Sequence, residues 1–237
     1  MNKYLVGTCA FNEGPKIRSV IEGFCDHSLY DVLVVDDGSE DSSFDPIKSH
    51  PQLSIIHNKI NRGAGFCVRQ ILNHAKEKGY DAVFFVSGNN KDRPQDIYKL
   101  KEALEEGFDL VQGSRYLPGG EAGGDMPLYR RIATRFYSFF LSLLVLHKIT
   151  DSTNGFRALR LSLFDDARIN IDQPWLDRYE MEPYILFQAI KLGFKVKEVP
   201  VKKIYPSRTM GYSKMKPLVG WWSIFRPLIY LSLGLRK

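Results

Sequence analysis

The sequence predicts an α/β fold built on a mixed, mainly parallel sheet flanked by helices. Three observations carry this. Val32 to Val35 form an unbroken apolar run of strand length, the pattern of a parallel strand covered on both faces, and Asp36-Asp37-Gly38 close it. Upstream, an apolar run from Tyr4 to Cys9 leads into Phe11-Asn12-Glu13 and a helix beginning near Pro15. Further along, strand-length apolar runs alternate with helical stretches, the rhythm of successive βαβ units. Two strands then deliver polar groups to one sheet edge, where open α/β sheets bind ligands.

In chain order, strands are expected over Tyr4–Cys9, Asp31–Val35 and Leu53–His57, with a helix from Pro15 to Cys25 and a helix or loop around Asp45 to His50. Asn61-Arg-Gly-Ala-Gly-Phe66 opens a helix reaching about Lys78, because Val68, Ile71, Leu72 and Ala75 share one face at helical spacing. A strand over Ala82–Val86, a helix from Pro94 to about Glu106 and a strand within Phe108–Tyr116 follow. Gly119, Gly120, Gly123 and Gly124 suggest a flexible loop. The segment from Pro127 to Leu146 is basic at its start and apolar and aromatic beyond Phe136. A last strand is expected over Lys195–Val201.

With 237 residues, 44% of them hydrophobic, the chain can bury one substantial core, so residues 1–216 are read as one domain and 217–237 as an appended segment. Cys9, Cys25 and Cys67 show no paired metal-ligand spacing and read as reduced core residues of a cytosolic protein. The first residues enter a strand at once, leaving no room for a secretory signal. From Lys191 onward, Lys and Arg stand against the single acid Glu198. Lys214, Lys216, Trp221, Trp222, Phe225, Arg226 and Tyr230, mixed with aliphatic residues, suit a membrane interface. No nucleic-acid recognition signature accompanies them. Pro217 to Leu235 approaches spanning length, but Arg226 near its middle and Pro227 argue for a surface position, with a core-packed helix as the alternative.

Asp36 and Asp37 taken alone fit two roles, a ligand site or the cap of a following element. Together with Phe11-Asn12-Glu13, the Val35-Asp-Asp-Gly-Ser39 element resembles the family 2 glycosyltransferases of the GT-A fold, a Rossmann-like architecture. The resemblance extends to Asp109-Leu-Val-Gln-Gly-Ser-Arg-Tyr116, Asp151-Ser-Thr-Asn-Gly-Phe-Arg157, Glu198-Val-Pro200 and Arg208-Thr-Met-Gly-Tyr-Ser-Lys214. Within the family it points to the polyprenyl-phosphate sugar transferases, such as dolichol-phosphate mannosyltransferase.

The resemblance implies a nucleotide-sugar site formed by Phe11, Asn12, Glu13, Asp36, Asp37, Gly63, Gly65, Ser87, Asn89 and Arg115. It implies that Asp151 lines the cleft near the sugar, and that Arg208 and Lys214, in a loop with Gly211, neutralise donor and acceptor phosphates. Arg130, Arg131, Arg157, Glu182 and Ser213 are the implied acceptor residues, with Arg135 a further candidate. For Arg115 and Arg157, a structural ion pair is the competing role. Partners would be a nucleotide sugar, a polyprenyl phosphate, the cytoplasmic face of a membrane and, as a further option, a small membrane protein.

One departure stands out. Where the family has Asp-x-Asp to hold Mg²⁺ or Mn²⁺, this chain reads Ser87-Gly-Asn89, with Lys91 at the family's Gln and Asp92 the only nearby carboxylate. Two expectations follow: an active enzyme in which Lys91 supplies charge in place of metal, or a non-catalytic relative that binds nucleotide sugar. For the active enzyme, the resemblance implies an inverting displacement. A lipid phosphate acceptor needs no general base, whereas a hydroxyl acceptor on a glycan would need Asp151 or Glu182 as one.

Overall fold

The structure, a computed structural model, describes residues 2–25, 30–44, 47, 50–206 and 217–236. Its centre is a seven-stranded sheet in the order β3-β2-β1-β4-β7-β5-β8. The strands are β1 (Tyr4–Ala10), β2 (Asp31–Asp36), β3 (Leu53–His57), β4 (Ala82–Ser87), β5 (Leu110–Ser114), β7 (Arg157–Arg160) and β8 (Val196–Pro200). All neighbours pair in parallel except β7, which is antiparallel to both β4 and β5. β1, β2 and β4 are almost wholly buried, as their continuous apolar runs require. The expected α/β class is what the chain adopts.

Helices α1 (Pro15–Cys25) and α3 (Ile97–Glu105) pack on one face of the sheet, where Ile17, Phe24, Leu100 and Leu104 meet Val6, Val34 and Phe84. On the other face, α2 (Ala64–Glu77), α4 (Leu128–Val145), α5 (Met181–Lys191) and α6 (Pro217–Ser232) share a larger core. In it Ile71, Leu72, Tyr137, Leu141, Tyr184 and Leu228 are almost fully enclosed.

Three elements differ from expectation. β7 gives no strand signal in the sequence, because its four residues are too few to show a period and its pairing is set by distant strands. The glycine-rich stretch expected to be a loop contains β6 (Glu121–Gly124), paired in parallel with β9 (Lys202–Tyr205). Gly124 adopts φ +71°, and a Cβ there would lie 2.1 Å from the Tyr205 carbonyl oxygen, so the glycine allows the two backbones to approach. Residues 42–44 form a single 3₁₀ turn; of the expected helix or loop over 45–50, positions 45, 46, 48 and 49 lie outside the described residues.

α6 corrects a further expectation, since it continues through Pro227. Its inner face joins the core through Leu228, Ile224, Phe225 and Leu231, and Tyr137 donates its hydroxyl to the Ile224 carbonyl at 3.0 Å. Arg226 turns inward to the buried carboxylate of Glu180 and to the Trp175 carbonyl. The opposite face exposes Trp222 and Ile229, so α6 is both core-packed and surface-facing. Among the described residues, no helix is long and apolar enough to cross a membrane.

Because Leu228 is 0% exposed, Leu228→Ala should destabilise the protein by about 2–5 kcal/mol. Denaturant unfolding followed by circular dichroism checks this; an unchanged midpoint would mean that α6 is not part of the cooperative core.

Candidate active site

The carboxyl ends of β1, β2 and β4 open into one cleft of about 630 Å³. Phe11, Asn12, Glu13, Asp37, Gly63, Ser87, Asn89, Lys91, Arg115, Arg130, Arg157 and Glu182 all line it. The sequence-based set thus converges from elements far apart in the chain. Asp36, Gly65, Asp92, Arg131 and Asp151 fall outside the lining, and Arg208, Ser213 and Lys214 lie outside the described residues.

The paired carboxylates at the end of β2 are engaged by their own loops. Asp36 accepts from the Ser39 amide at 2.9 Å and contacts His57 Nδ1 at 2.9 Å. Asp37 accepts from the Arg62 and Gly63 amides at 2.9 and 2.8 Å, fixing the turn into α2. Asn12, at φ +50°, accepts from the Glu40 amide, while its own amide donates to Ser39 Oγ. These groups shape the rim of the cleft. Only Asp37, of the two acids, reaches its surface.

Gly63 and Gly65 are required by packing. A Cβ would lie 2.5 Å from the Asp177 carbonyl oxygen at the first and 1.9 Å from the Leu176 carbonyl oxygen at the second. The amides of Gly65 and Phe66 donate to the Arg178 and Asp177 carbonyls, so these α2 amides serve the protein rather than a phosphate. Gly63 still borders the cleft.

Arg115 and Asp151 form a buried two-pronged ion pair, Nε to Oδ2 at 2.6 Å and Nη2 to Oδ1 at 2.7 Å. Arg115 also donates to Tyr205 Oη and to Thr153 Oγ1. Asp151 is 0% exposed and does not line the cleft; its carboxylate is enclosed by the Arg115 amide and guanidinium that donate to it. Arg157 is likewise buried, donating to the Asn154 carbonyl at 2.8 Å and lying 3.5 Å from Glu182 Oε1. Glu182 keeps about a third of its side chain exposed and is the acid facing the cleft from α5. Arg131 instead donates to the Ala122 carbonyl.

Several lining groups escaped the sequence reading: Lys16, Thr153, Arg178, Tyr179, Lys203, Tyr205, Trp221 and Ile224. Lys203 matters most. Its Nζ donates to Asp92 Oδ1 at 2.6 Å, Ser87 Oγ at 2.7 Å and Asn154 Oδ1 at 3.0 Å. The sequence carried one signal for it, the Lys202-Lys203 pair set within an apolar strand directly after Val199-Pro-Val201. Lys91 is nearly enclosed, and burial, reinforced by Lys203 and Arg130, lowers its pKa to about 8.

The lining is strongly cationic. Lys16, Lys91, Arg115, Arg130, Arg157, Arg178 and Lys203 face Glu13, Asp37 and Glu182. Mg²⁺ or Mn²⁺ asks for hard, preferably charged oxygen ligands. Here Ser87 and Asp92 already accept from Lys203, and Asp92 Oδ2 accepts from the Ser87 amide at 2.7 Å. Asn89 Oδ1 is a buried neutral oxygen without a hydrogen-bond partner. No cluster of three or more His, Cys, Asp or Glu occurs among the described residues. The residues at this position do not fit a divalent cation.

Comparison with known proteins gives these features a family. The sequence pattern of Glycosyl transferase family 2 matches residues 5–168. The chain belongs to that family. A UDP-N-acetylglucosamine–dolichyl-phosphate N-acetylglucosaminyltransferase of Methanococcus voltae is 26% identical, covering 95% of this chain and 94% of that one. An undecaprenyl-phosphate mannosyltransferase of Micrococcus luteus is 29% identical over 78% of this chain and 75% of its own. Glucosyl-3-phosphoglycerate synthase of Mycobacterium tuberculosis, solved with UDP, superimposes with a TM-score of 0.66 at 19% identity, covering 98% of this chain and 79% of that chain, and shares the fold. The chain is therefore a glycosyltransferase with a GT-A fold.

If Asp151 acts by holding Arg115, Asp151→Ala should lower stability by about 3–5 kcal/mol through the unpaired guanidinium it leaves behind. Denaturant titration reads the loss; a fully stable, inactive variant would instead assign Asp151 to the chemistry.

Proposed function

We propose that this transferase moves a sugar from a GDP- or UDP-linked donor to a polyprenyl or dolichyl phosphate at the cytoplasmic face of a membrane, with inversion at the anomeric carbon. The observation that carries the reading is the composition of this cleft. Its lining combines cationic groups with Tyr137 of α4 and with Trp221 and Ile224 of α6, which add aromatic and aliphatic surface. A lipid phosphate pairs the same two chemistries, an anionic head and an apolar chain.

The outer faces of those helices support the membrane reading. α4 exposes Leu128, Tyr129, Ile132, Phe136, Phe139 and Leu143, with Leu146 just past its end, and α6 adds Trp222 and Ile229, with Leu233 just past its end. The α4 residues recur at helical spacing and form one apolar stripe, rimmed by Arg135, whose guanidinium lies 4.6 Å from the Tyr116 ring centre. Such a surface rests at a bilayer interface without crossing it.

In this reading, Phe11, Asn12, Glu13, Asp37 and Gly63 border the donor, and Arg130, Arg157 and Arg178 draw the acceptor phosphate. Arg208, Ser213 and Lys214 keep the phosphate-closing role implied by the resemblance. An acceptor oxygen, already anionic at neutral pH, attacks the anomeric carbon as the bond to the diphosphate breaks and its electron pair leaves with the nucleotide. No proton need move, so the protein's tasks are positioning and electrostatic stabilisation. A small membrane protein remains an optional recruiting partner.

Incubation with labelled GDP- and UDP-sugars and a polyprenyl phosphate, followed by organic extraction, should give a lipid-linked product from one donor. Label passing only to glycan hydroxyls would refute the lipid acceptor and direct attention to Glu182 as base. Replacing Phe136 and Phe139 with Asp should lower binding to anionic vesicles roughly tenfold, measured by co-sedimentation. Unchanged binding would exclude the α4 stripe as the membrane face.

A further inference from the structure

The oxygens that would have to ligate a divalent ion are already held by an ammonium group. The three hydrogen bonds of Lys203 to Asp92, Ser87 and Asn154 use all of its protons. Both members of the Lys203–Asp92 pair are only 7% exposed. A metal ion entering here would have to break that pair and then face the displaced ammonium.

Lys91 stands beside this seat and lines the same cleft. Its backbone carbonyl accepts from the Ile204 amide at 2.9 Å, and Asp92 forms a bridge to Lys203, so β9 fixes the loop that carries both residues. The Lys91 ammonium lies 5.2 Å from the Tyr205 ring centre. Lys16 and Arg130 add positive charge, with Glu13 the acid among these neighbours.

We propose that the donor diphosphate binds and departs without a divalent ion, Lys203 occupying the cation's seat and Lys91 meeting the phosphate oxygens. The inference rests on the nucleotide-sugar reading above. As the glycosidic C–O bond breaks, its electron pair goes to the diphosphate oxygen. Lys91 offsets that growing charge as a point cation, with no proton transferred.

Calorimetric titration of the intact protein with UDP and with GDP, each in EDTA and again in Mn²⁺, tests this. The expected result is binding of one nucleotide with affinities that agree within about twofold between the two buffers. Lys91→Ala should weaken that binding roughly tenfold, and Lys91→Arg much less, because the guanidinium restores the charge. Binding lost in EDTA and regained in Mn²⁺ overturns the metal-free site while leaving the nucleotide-sugar reading standing. No binding of either nucleotide in either buffer overturns both. The wild-type comparison needs no variant. A folded Lys203→Ala protein should acquire Mn²⁺-responsive binding through the released Asp92 and Ser87 oxygens, and continued indifference to Mn²⁺ would remove Lys203 from the cation's seat.

Discussion

The floor of the cleft depends on the buried ammonium of Lys203. It joins the end of β4, the loop that follows β4, and the segment before β7, bringing Ser87 into contact with a residue 116 positions away. Buried ion pairs contribute little net stability, because desolvating both charges offsets most of their attraction. Their effect here is geometric. Lys203 and Tyr205 occupy alternate positions of β9 and both point inward, while Lys202 and Ile204 between them are more exposed. One short strand therefore supplies both the group that ties down Asp92 and the hydroxyl that contacts Arg115. The small β6–β9 sheet acts as a strut beneath the site, and the glycines of β6 let it lie close.

Much of the scaffold was legible from sequence because it rests on local signals. The apolar runs of β1, β2 and β4 mark strands covered on both faces, and the spacing of Val68, Ile71, Leu72 and Ala75 marks the buried face of α2. Long-range pairings left no such trace. β7 enters the sheet antiparallel between two strands that do not adjoin it in sequence, and β9 pairs with a stretch whose glycines look like punctuation. Motif residues were easier to name than to place. Asp151 belongs to a conspicuous motif, yet its carboxylate is engaged by Arg115, and only the fold reveals that of these two buried groups Arg115 borders the cleft.

The same distinction applies to the glycines ahead of α2. A Gly-x-Gly before a helix suggests backbone approaching phosphate. In this chain the close approach is made by the backbone of residues 176–178, which accepts the helix amides. Positive charge at the site therefore comes from side chains: lysines and arginines gathered from α1, β7, β9, α4 and the loops around them. That arrangement agrees with a neutral Ser87-Gly-Asn89 element, since two acids placed among those cations would cancel the field that an anionic ligand needs.

Arg226 shows how one residue can support opposite arguments at two levels. In sequence its charge opposes a membrane-spanning reading of the last helix. In the fold that charge turns away from the exposed apolar face and meets Glu180, which is buried and also accepts from the Ser223 hydroxyl and the Arg178 amide. Without Arg226, the Glu180 carboxylate would be left desolvated with weaker compensation. The pair thus anchors α6 to the segment leading into α5, and that segment places Arg178 on the cleft. The outer face of α6 and the cationic lining are parts of one packed unit, so a surface that holds the outer face also constrains the position of the cleft.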